Sequence, residues 1–254
     1  MKAFLLAAGL GTRLRPVTDQ APKCLVPIAG KPLLQIWLEL LAWHGVQEVL
    51  INTHHLPELV QNFASGWFGC PKLHLSHEET LLGSAGTLRK NWDFVAAEES
   101  FLVCYADNLT DVDLGKLVQF HQAHQGSLTM ALFRTERPRE CGVAEMDEAG
   151  LITSFEEKPT LPKSSLANAG IYVMRPGIQR LLPHTQPSDI GFHLLPRCLG
   201  EMYGWLWEGL LMDIGNPQAY ARAQELWARK QDPLDRPEGG DSGPDRAHML
   251  VSRE

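Results

Sequence analysis

The sequence predicts an α/β fold in which a mostly parallel sheet lies between two layers of helices. Signals for strands and helices alternate over residues 1–135, the order that produces parallel strands joined by helices. The first strand, 3–7, is apolar throughout, as expected of a strand covered on both faces. With 254 residues and 44% apolar content, the chain is long enough for one domain with its own core.

The elements follow in order along the chain. Strands are predicted at 3–7, 49–52, 73–77, 101–104 and 128–133, and helices at 33–44, 57–63, 83–91 and 114–125. Pro32 suits the first turn of the helix at 33–44, and Gly45 follows its end. Beyond Pro138 the elements become shorter, with strands near 142–146, 151–155 and 169–174 and helices near 176–182 and 190–202. Trp205 and Trp207 alternate as in a half-buried strand.

Charge and cysteine content limit the partners and the compartment. The net charge of −7 argues against a nucleic-acid partner. No run of about eighteen apolar residues occurs, so we expect no membrane span. Five cysteines without a C-x-x-C pair predict reduced thiols and a cytoplasmic protein. The sequence leaves the oligomeric state open, a homo-oligomer included.

A glycine-rich turn with basic residues follows the first strand. Gly9 and Gly11 let backbone N–H groups approach a ligand closely, at the sheet edge where α/β proteins bind ligands. Arg13 adds a forked, permanent cation, and Lys23 adds a point charge behind the stiff Pro22. This combination predicts a loop that binds a polyphosphate.

Two better-known glycine loops are excluded. The P-loop pattern G-x-x-x-x-G-K-[ST] does not occur. The dinucleotide pattern G-x-G-x-x-G begins at Gly9 and Gly11, but Leu14 stands at the third glycine position. The remaining alternative is a tight turn in which the glycines serve shape and the basic residues serve solubility.

A carboxylate ends another predicted buried strand. Asp107 follows the apolar run 101–104 and is therefore expected at the same sheet edge as the glycine turn. Mg²⁺ prefers one or two carboxylates together with phosphate oxygens and water, so Asp107 is a candidate metal ligand. The alternative is a residue that caps a turn.

The glycine turn and its basic residues resemble the N-terminal motif of the sugar nucleotidyltransferases. The segment LAAGLGTR followed by Pro22 and Lys23 is similar to the family's G-x-G-T-R…P-K, and the resemblance extends through most of residues 1–228. It implies a Rossmann-like sheet of the glycosyltransferase-A-like nucleotidyltransferase type. It also implies that a sugar 1-phosphate oxygen attacks the α-phosphorus of a nucleoside triphosphate and releases pyrophosphate. The implied catalytic residues are Arg13 and Lys23, and the implied nucleotide-binding residues of this turn are Ala7, Ala8, Gly9, Gly11 and Thr12.

The resemblance also implies a domain organisation. Residues 1–230 form one nucleotidyltransferase domain, with a nucleotide-binding half at 1–135 and a sugar-phosphate-binding half at 136–230. From Gln231 to Arg246 the sequence is rich in proline, glycine and charge with almost no apolar residues, which predicts a disordered tail over 231–254.

Two aspartates are the metal ligands that the resemblance implies. Asp107 matches a family aspartate that glycine usually precedes, although Ala106 stands there in this chain. The segment LMDIGNP resembles the family's W-x-D-I-G-T-P, whose aspartate is Asp213 here; Leu211 and Asn216 replace tryptophan and threonine. The resemblance thus implies a Mg²⁺ ion held by Asp107 and Asp213. Alternatively, the second segment serves only to cap a helix with Asn216.

A third segment, LGSAGT, is similar to the family's base-recognition loop L-G-T-A-G. The residues that this likeness assigns to the nucleotide are Gly83, Ser84, Ala85 and Gly86. A carboxylate just upstream, Glu78 or Glu79, is suited to accept from the N1–H and N2–H₂ groups of guanine. The alternative is a helix N-terminus capped by Ser84.

The acceptor sugar phosphate has implied ligands in the second half of the chain. Glu157 and Lys158 match the family's E-K-P segment, and Asn168 belongs to a segment like the family's N-A-G-I-Y. By resemblance Glu157 and Asn168 bind sugar hydroxyls, Lys158 binds the phosphate, and the backbone of Gly142 faces the sugar. Without the resemblance, the Glu-Lys pair is an ordinary solvated pair.

The residues of these motifs look most like those of guanylyltransferases that act on mannose 1-phosphate or manno-heptose 1-phosphate. Thymidylyl- and uridylyltransferases for glucose 1-phosphate share nearly all of them and remain an alternative. A third alternative is a regulatory paralogue that binds nucleotide sugars without turnover. The presence of Arg13, Lys23, Asp107 and Asp213 favours an enzyme over that alternative.

Overall fold

The computed structural model describes residues 1–231. Its strands are β1 (Lys2–Leu6), β2 (Pro27–Ile28), β3 (Lys31–Pro32), β4 (Glu48–Thr53), β5 (Lys72–His77), β6 (Phe101–Tyr105), β7 (Asn108–Thr110), β8 (Leu128–Arg134), β9 (Gly142–Met146), β10 (Ile152–Glu157), β11 (Leu166–Met174), β12 (Met202–Leu206) and β13 (Leu211–Asp213). Its α-helices are α1 (Val17–Gln20), α2 (Leu33–Trp43), α3 (Pro57–Ser65), α4 (Ser84–Lys90), α5 (Leu114–Gln122) and α6 (Pro217–Gln231). The principal elements of the first half therefore lie where the sequence predicts them.

A central sheet of nine strands organises the described residues. Its main path runs β10-β9-β11-β6-β1-β4-β5, and β8 pairs with both β11 and β12. β1, β4, β5 and β6 are mutually parallel, whereas β11 pairs antiparallel with β6, β8 and β9. Only β10 and β11 run against the other seven strands. The predicted α/β fold with a mostly parallel sheet is confirmed.

Two hydrophobic cores, one on each face of the sheet, explain why β1 is apolar from Ala3 to Leu6. Its alternate side chains point to opposite faces, as strand geometry requires. Ala3 and Leu5 pack in the core that contains α2, whereas Phe4 and Leu6 pack in the core that contains Leu88 of α4. β1 is thus covered on both sides, and the loops at its C-terminal end are held by a rigid support.

A two-stranded ribbon that the sequence did not predict brings distant segments together at that end. β7 pairs antiparallel with β13, and Asp213 lies opposite Asn108, the residue after Asp107. The C-terminal α6 then begins behind the ribbon, where Asn216 Oδ1 accepts from the Ala219 N–H at 2.9 Å. The predicted cap at Asn216 is therefore present, and it coexists with a carboxylate that reaches the sheet edge.

Both helices predicted in the second half differ from the structure. The helix expected near 176–182 is present as a 3-10 helix, Pro176–Leu181. The helix expected near 190–202 is instead a π-helical turn, Ile190–Leu194, followed by a short 3-10 turn, Leu195–Cys198. β12 begins soon afterwards because Met202 pairs with Leu128 of β8. The tail predicted for 231–254 lies outside the described residues, apart from Gln231 at the end of α6.

The described residues also answer two expectations about composition. No helix within 1–231 is long and apolar enough to cross a bilayer. All five cysteines are free thiols, and burial raises the pKa of Cys24 and of Cys198 to about 12. These two thiols are held protonated and unreactive.

Two histidines, one in the last turn of α5 and one just after the helix, share one hydroxyl. His121 Nδ1 and His124 Nε2 each lie 2.8 Å from Thr129 Oγ1. The Gly126 N–H donates to His124 Nδ1 at 3.0 Å, which requires a neutral His124 ring. Burial, together with the nearby Arg175 cation, lowers the pKa of His121 to about 3 and that of His124 to about 4.

We expect the free energy of unfolding to fall as the pH drops from about 6.5 towards 3. Both histidines regain an ordinary pKa near 6.5 in the unfolded chain, so that state binds more protons in this window. The stabilisation is complete above about pH 6.5 and is lost on acidification. Urea unfolding at a series of pH values measures the slope, and His124→Gln should make it shallower. An equal slope in the variant would contradict this origin.

Candidate active site

A pocket of about 470 Å³ opens at the C-terminal ends of β1 and β6. The glycine turn lines one side, and Gly83, Ser84 and Asp189 line the other. The predicted site residues that line it are Ala7, Ala8, Gly9, Gly11, Thr12, Arg13, Lys23, Glu78, Gly83, Ser84 and Asp107. Residues from distant parts of the sequence therefore meet at the sheet edge where the motifs predicted a ligand.

The two glycines of the turn are needed for different reasons. Gly11 has φ +63°, and a Cβ there would lie 2.8 Å from Thr18 Cγ2. The Thr18 hydroxyl donates to the Gly11 carbonyl at 2.8 Å, so this glycine is part of the folded structure of the turn. A Cβ at Gly9 would meet nothing within 4 Å, and its φ lies outside the left-handed region. The space beside Gly9 is open towards the pocket.

We expect Gly9→Ala and Gly11→Ala to separate binding from folding. Gly11→Ala should lower the free energy of unfolding by about 1–3 kcal/mol, because alanine is strained in the left-handed region and meets Thr18. Gly9→Ala should leave the free energy of unfolding within about 0.5 kcal/mol of wild type. It should raise about tenfold the KM for the triphosphate that the resemblance implies, because the methyl group enters the space expected for that ligand. Thermal unfolding and steady-state kinetics of both proteins measure this contrast. A Gly9→Ala protein with unchanged kinetics would show that the loop does not approach the ligand.

Four charged side chains form a cluster at the mouth of the pocket. Lys23 Nζ lies 2.9 Å from Asp107 Oδ2 and 2.7 Å from Asp213 Oδ1. Arg13 Nη2 lies 3.4 Å from Asp213 Oδ2, and the Arg13 side chain is 71% exposed. Lys23 is 8% exposed, whereas the two carboxylates are each about half exposed. A fixed ammonium thus stands between two carboxylates that solvent or a ligand can reach.

The backbone around Asp213 is shaped for this cluster. A Cβ at Gly215 would lie 2.8 Å from Asp213 Oδ2 and 2.9 Å from Arg13 Nη2. The Ile214 N–H is 3.4 Å from the Asp107 carbonyl, which joins the two acidic segments directly. Glycine at 215 therefore leaves the space that the Arg13–Asp213 pair occupies.

The two aspartates fit the requirements of a hard divalent cation that also takes phosphate oxygens. Both contact the same ammonium, so their carboxylates converge on one point. Residues 1–231 contain no group of three or more His, Cys, Asp or Glu side chains able to hold a metal ion by themselves. Such a donor set suits Mg²⁺, which usually keeps one or two carboxylates and completes its shell with phosphate and water.

The loop at 83–86 is hydrogen-bonded to the segment around Ser188. Gly83 has φ +75°, and a Cβ there would lie 2.4 Å from the Ser188 carbonyl oxygen. That carbonyl accepts from the N–H groups of Ala85 and Gly86 at 2.9 and 3.1 Å. Gly83 and Ser84 face the pocket, whereas Ala85 and Gly86 are buried and do not line it. The last two therefore support the loop from behind.

Ser84 does not cap α4, contrary to the alternative interpretation. Its hydroxyl accepts from the Ile190 N–H at 2.7 Å and from the Tyr105 hydroxyl at 3.2 Å. The helix begins after Gly83 without a side-chain cap. Ser84 instead connects the loop to β6 and to the π-helical turn.

Glu78 lines the pocket but is almost completely buried and is bound by internal donors. Its Oε1 accepts from Asn52 Nδ2 at 2.9 Å and from Thr87 Oγ1 at 2.5 Å, and its Oε2 accepts from the Leu82 N–H at 3.0 Å. Asn52 also accepts from the Ala7 N–H at 2.7 Å. Glu78 and Asn52 thus tie the glycine turn to the loop at 83–86. Glu79, the other upstream carboxylate, is exposed.

The predicted sugar-phosphate residues lie together beside the pocket, outside its lining. A Cβ at Gly142 would lie 2.5 Å from Glu157 Oε2, so the glycine leaves space for that carboxylate. Burial raises the pKa of Glu157, an effect that Lys158 opposes and Asp189 reinforces. Lys158 is exposed, with its Nζ 6.0 Å from the centre of the Phe192 ring.

Asn168 stands at an irregularity in β11. Its Nδ2 donates to the Tyr172 hydroxyl at 2.7 Å, and its Oδ1 accepts from the Gly170 N–H at 2.9 Å. Gly170 has φ +70°, and a Cβ there would lie 2.4 Å from Tyr105 Cδ2. The β11–β8 pairing shifts register between Asn168 and Tyr172, which turns this segment towards Tyr105 and the pocket.

Sequence reasoning missed three residues of this region. Asn52 is a buried polar residue at the end of a predicted strand, a signal that would have marked it. Asp189 lines the pocket, and Gly191 lies against Glu157. Gly191 falls in the helix predicted near 190–202, and Asp189 directly precedes that helix. Nothing in the local pattern of that segment indicates the contacts it makes.

Comparison with known proteins identifies the family. A profile of the family described as Nucleotidyl transferase matches residues 2–230. The chain belongs to this family. In fold it is similar to UDP-glucose pyrophosphorylase complexed with UDP-glucose, with a TM-score of 0.79 and 22% identity over 91% of this chain and 99% of that one. HddC from Yersinia pseudotuberculosis gives a TM-score of 0.75 at 24% identity over 89% and 99% of the two chains.

Curated relatives within the Nucleotidyl transferase family are similar in sequence. Mannose-1-phosphate guanylyltransferase catalytic subunit beta of Dictyostelium discoideum is 33% identical over 234 residues, 89% of this chain and 64% of that protein. UTP–glucose-1-phosphate uridylyltransferase of Synechocystis sp. is 35% identical over 242 residues, 88% of this chain and 62% of that protein. The chain thus spans less than two thirds of the length of these relatives.

Proposed function

We propose that this protein is a nucleotidyltransferase that makes a nucleoside diphosphate sugar and pyrophosphate from a nucleoside triphosphate and a sugar 1-phosphate. The observation that carries the proposal is the Lys23 ammonium between Asp107 and Asp213, beside an open glycine turn. Positioning and charge neutralisation, more than a protein nucleophile, are what such a transfer requires. Membership of the family supports the same reaction.

The nucleotide half of the site, within 1–135, neutralises the triphosphate. The backbone of the glycine turn offers N–H groups to the phosphate oxygens, and exposed Arg13 stabilises the pyrophosphate that leaves. Lys23 is fixed at the pocket and neutralises charge that develops around the α-phosphorus. One P–O bond forms to the acceptor phosphate while the bond between the α-phosphorus and the departing pyrophosphate oxygen breaks.

A metal ion belongs to this proposal. Sugar nucleotidyltransferases of this family generally use a divalent metal. In this chain Asp107 and Asp213 would hold it, and we propose Mg²⁺ because both ligands are hard oxygen donors. Mg²⁺ supplies charge neutralisation to the phosphate oxygens when it is bound.

The acceptor half, within 136–230, binds the sugar phosphate. The exposed Lys158 suits its phosphate, and the Glu157 carboxylate suits sugar hydroxyls because burial keeps it poorly hydrated. Asn168 and the backbone of Gly142 complete the group on the same side of the pocket. Tyr105 lies between the two halves, in contact with Ser84 on the nucleotide side and packed edge-on against Tyr172 on the other.

For the substrates we propose GTP with mannose 1-phosphate or manno-heptose 1-phosphate. The guanylyltransferase relatives support this choice. The carboxylate of Glu78 contributes indirectly, because its hydrogen bonds to Asn52, Thr87 and Leu82 hold the loop at 83–86 at the pocket wall. Uridylyl transfer to glucose 1-phosphate is the second candidate, favoured by the 35% identity to the Synechocystis enzyme. The five free cysteines support a cytoplasmic location.

A matrix of substrates tests the proposal. Pyrophosphate release is measured for GTP, UTP, dTTP and ATP against mannose, manno-heptose and glucose 1-phosphates, each with Mg²⁺. We expect the highest kcat/KM for GTP with a manno-configured phosphate. A preference for UTP with glucose 1-phosphate would support the second candidate. Release from no pair, together with tight binding of a nucleotide sugar, would identify a regulatory protein instead.

A further inference from the structure

The π-helical turn Ile190–Leu194 lies against the two side chains to which the proposed function assigns the sugar phosphate. A Cβ at Gly191 would lie 2.4 Å from Glu157 Oε2 and 2.9 Å from Glu157 Cδ. The next residue, Phe192, is 54% exposed and has its ring 6.0 Å from the Lys158 ammonium. Single π-helical turns are rare and frequently occur at functional sites.

Gly191 is needed for the space that it leaves free and not for its backbone conformation. Its φ lies outside the left-handed region, so the backbone would accept another residue. A Cβ at Gly142 would also come too close to the same atom, because it would lie 2.5 Å from Glu157 Oε2. The carboxylate therefore sits between two glycines on separate segments, and it has no room to remain there if either gains a side chain.

The turn is fixed to the nucleotide side of the pocket. Ile190 is fully buried, and its N–H donates to Ser84 Oγ at 2.7 Å. His193 locks the turn itself, because its Nδ1 accepts from the Asp189 N–H at 3.0 Å and its N–H donates to the Asp189 carbonyl at 3.0 Å. Because the turn is held in this way, the loop at 83–86 fixes where the turn contacts Glu157 and Lys158 on the acceptor side.

The aromatic ring of Phe192 lies beneath the Lys158 ammonium. Lys158 adopts φ 51°, an uncommon left-handed conformation for a lysine, and its N–H donates to the Cys141 carbonyl at 3.0 Å. This backbone position directs the flexible ammonium towards the ring of Phe192. A cation at this range from an aromatic ring gains a modest electrostatic attraction and loses freedom of movement.

We propose that Gly191 and Phe192 are positioning residues for the acceptor: Gly191 leaves the space that orients the Glu157 carboxylate, and Phe192 holds the Lys158 ammonium at the entrance. The inference rests on the proposed function, because it concerns the same acceptor site. It adds two residues that act on the acceptor indirectly, Gly191 through Glu157 and Phe192 through Lys158. It also makes the π-helical turn the element that determines how the acceptor binds.

Steady-state kinetics of Gly191→Ala tests the first part. We expect the KM for the sugar 1-phosphate to rise at least about tenfold, with the KM for the triphosphate within about twofold of wild type. Glu157→Asp in the Gly191→Ala background should recover part of the loss, because the shorter side chain withdraws its carboxylate from the new methyl group. Gly177→Ala is the matched control, since a Cβ there meets nothing within 4 Å.

Substitutions at the exposed Phe192 give a second test, one that does not depend on packing in the interior. Phe192→Leu should raise the KM for the sugar 1-phosphate about two- to fivefold, the equivalent of a surface cation–π contact, while Phe192→Tyr retains wild-type values. Phe68→Leu, at a phenylalanine that is 90% exposed, is the control. Thermal unfolding of every variant distinguishes loss of the fold from loss of the acceptor.

The outcomes separate the inference from the proposed function. An active wild-type enzyme whose Gly191→Ala and Phe192→Leu variants keep their acceptor KM would overturn the inference and leave the function intact. The inference also fails if Gly191→Ala raises both KM values equally and Glu157→Asp does not recover activity. A wild-type protein inactive with every substrate pair would overturn both.

Discussion

Lys23→Met is expected to lower kcat by at least about a hundredfold. Lys23 is the buried cation at the pocket, 2.9 Å from Asp107 and 2.7 Å from Asp213, and methionine keeps its aliphatic stem without the charge. The two carboxylates then face each other and the incoming triphosphate with no fixed cation between them. The charge that develops around the α-phosphorus would also lose its nearest protein donor. Steady-state pyrophosphate release measures the effect.

Lys31→Met is the matched control for this substitution. Lys31 also pairs with a carboxylate, Glu39, at 2.7 Å, but at the protein surface and away from the pocket. Surface pairs of this kind contribute about 0–1 kcal/mol, so we expect wild-type turnover. Circular dichroism should show both proteins folded, because the half-exposed aspartates near Lys23 can be hydrated. A Lys23→Met enzyme within about threefold of wild type would exclude Lys23 from the transfer step.

Asp107→Asn and Asp213→Asn are each expected to lower kcat by at least about a hundredfold, and the double variant little further. The two carboxylates converge on one point, so the loss of either removes the same metal-binding function. An amide keeps the size of the side chain but supplies no negative charge to a divalent cation. Mn²⁺ binding followed by electron paramagnetic resonance, with triphosphate present, gives a readout that does not depend on turnover.

Asp93→Asn serves as the control, since Asp93 is exposed and lies outside the pocket lining. Losses that multiply in the Asp107→Asn, Asp213→Asn double variant would indicate two independent roles instead of one shared ion. Unchanged Mn²⁺ binding in both single variants would refute the assignment of the metal to these residues.

The local parts of the fold and of the site could be predicted from the sequence. β1 is recognisable because both of its faces are buried, and the glycine turn follows directly, so its position and its chemistry are contained in one short segment. Asp107 is predictable for the same reason, as a carboxylate at the end of a buried strand. In each case the signal and the structure lie within a few residues of one another.

The remaining parts depend on contacts between distant segments. β11 separates β6 from β8, a pairing that no periodicity within either strand indicates. Asp213 reaches Lys23 only because β13 pairs with β7, and family resemblance had to supply what spacing does not. The hydrogen bonds that engage Glu78 come from Asn52, Thr87 and Leu82, so its burial could not be read from its own segment.

The product balance of a single reaction tests the central claim most directly. The protein is incubated with GTP, mannose 1-phosphate and Mg²⁺, and pyrophosphate and nucleotide sugar are quantified in the same sample by enzymatic assay and mass spectrometry. We predict equal amounts of the two products, with no pyrophosphate formed when the sugar phosphate is omitted. Pyrophosphate released without the sugar phosphate, or no nucleotide sugar from any substrate pair, would contradict nucleotidyl transfer at this site.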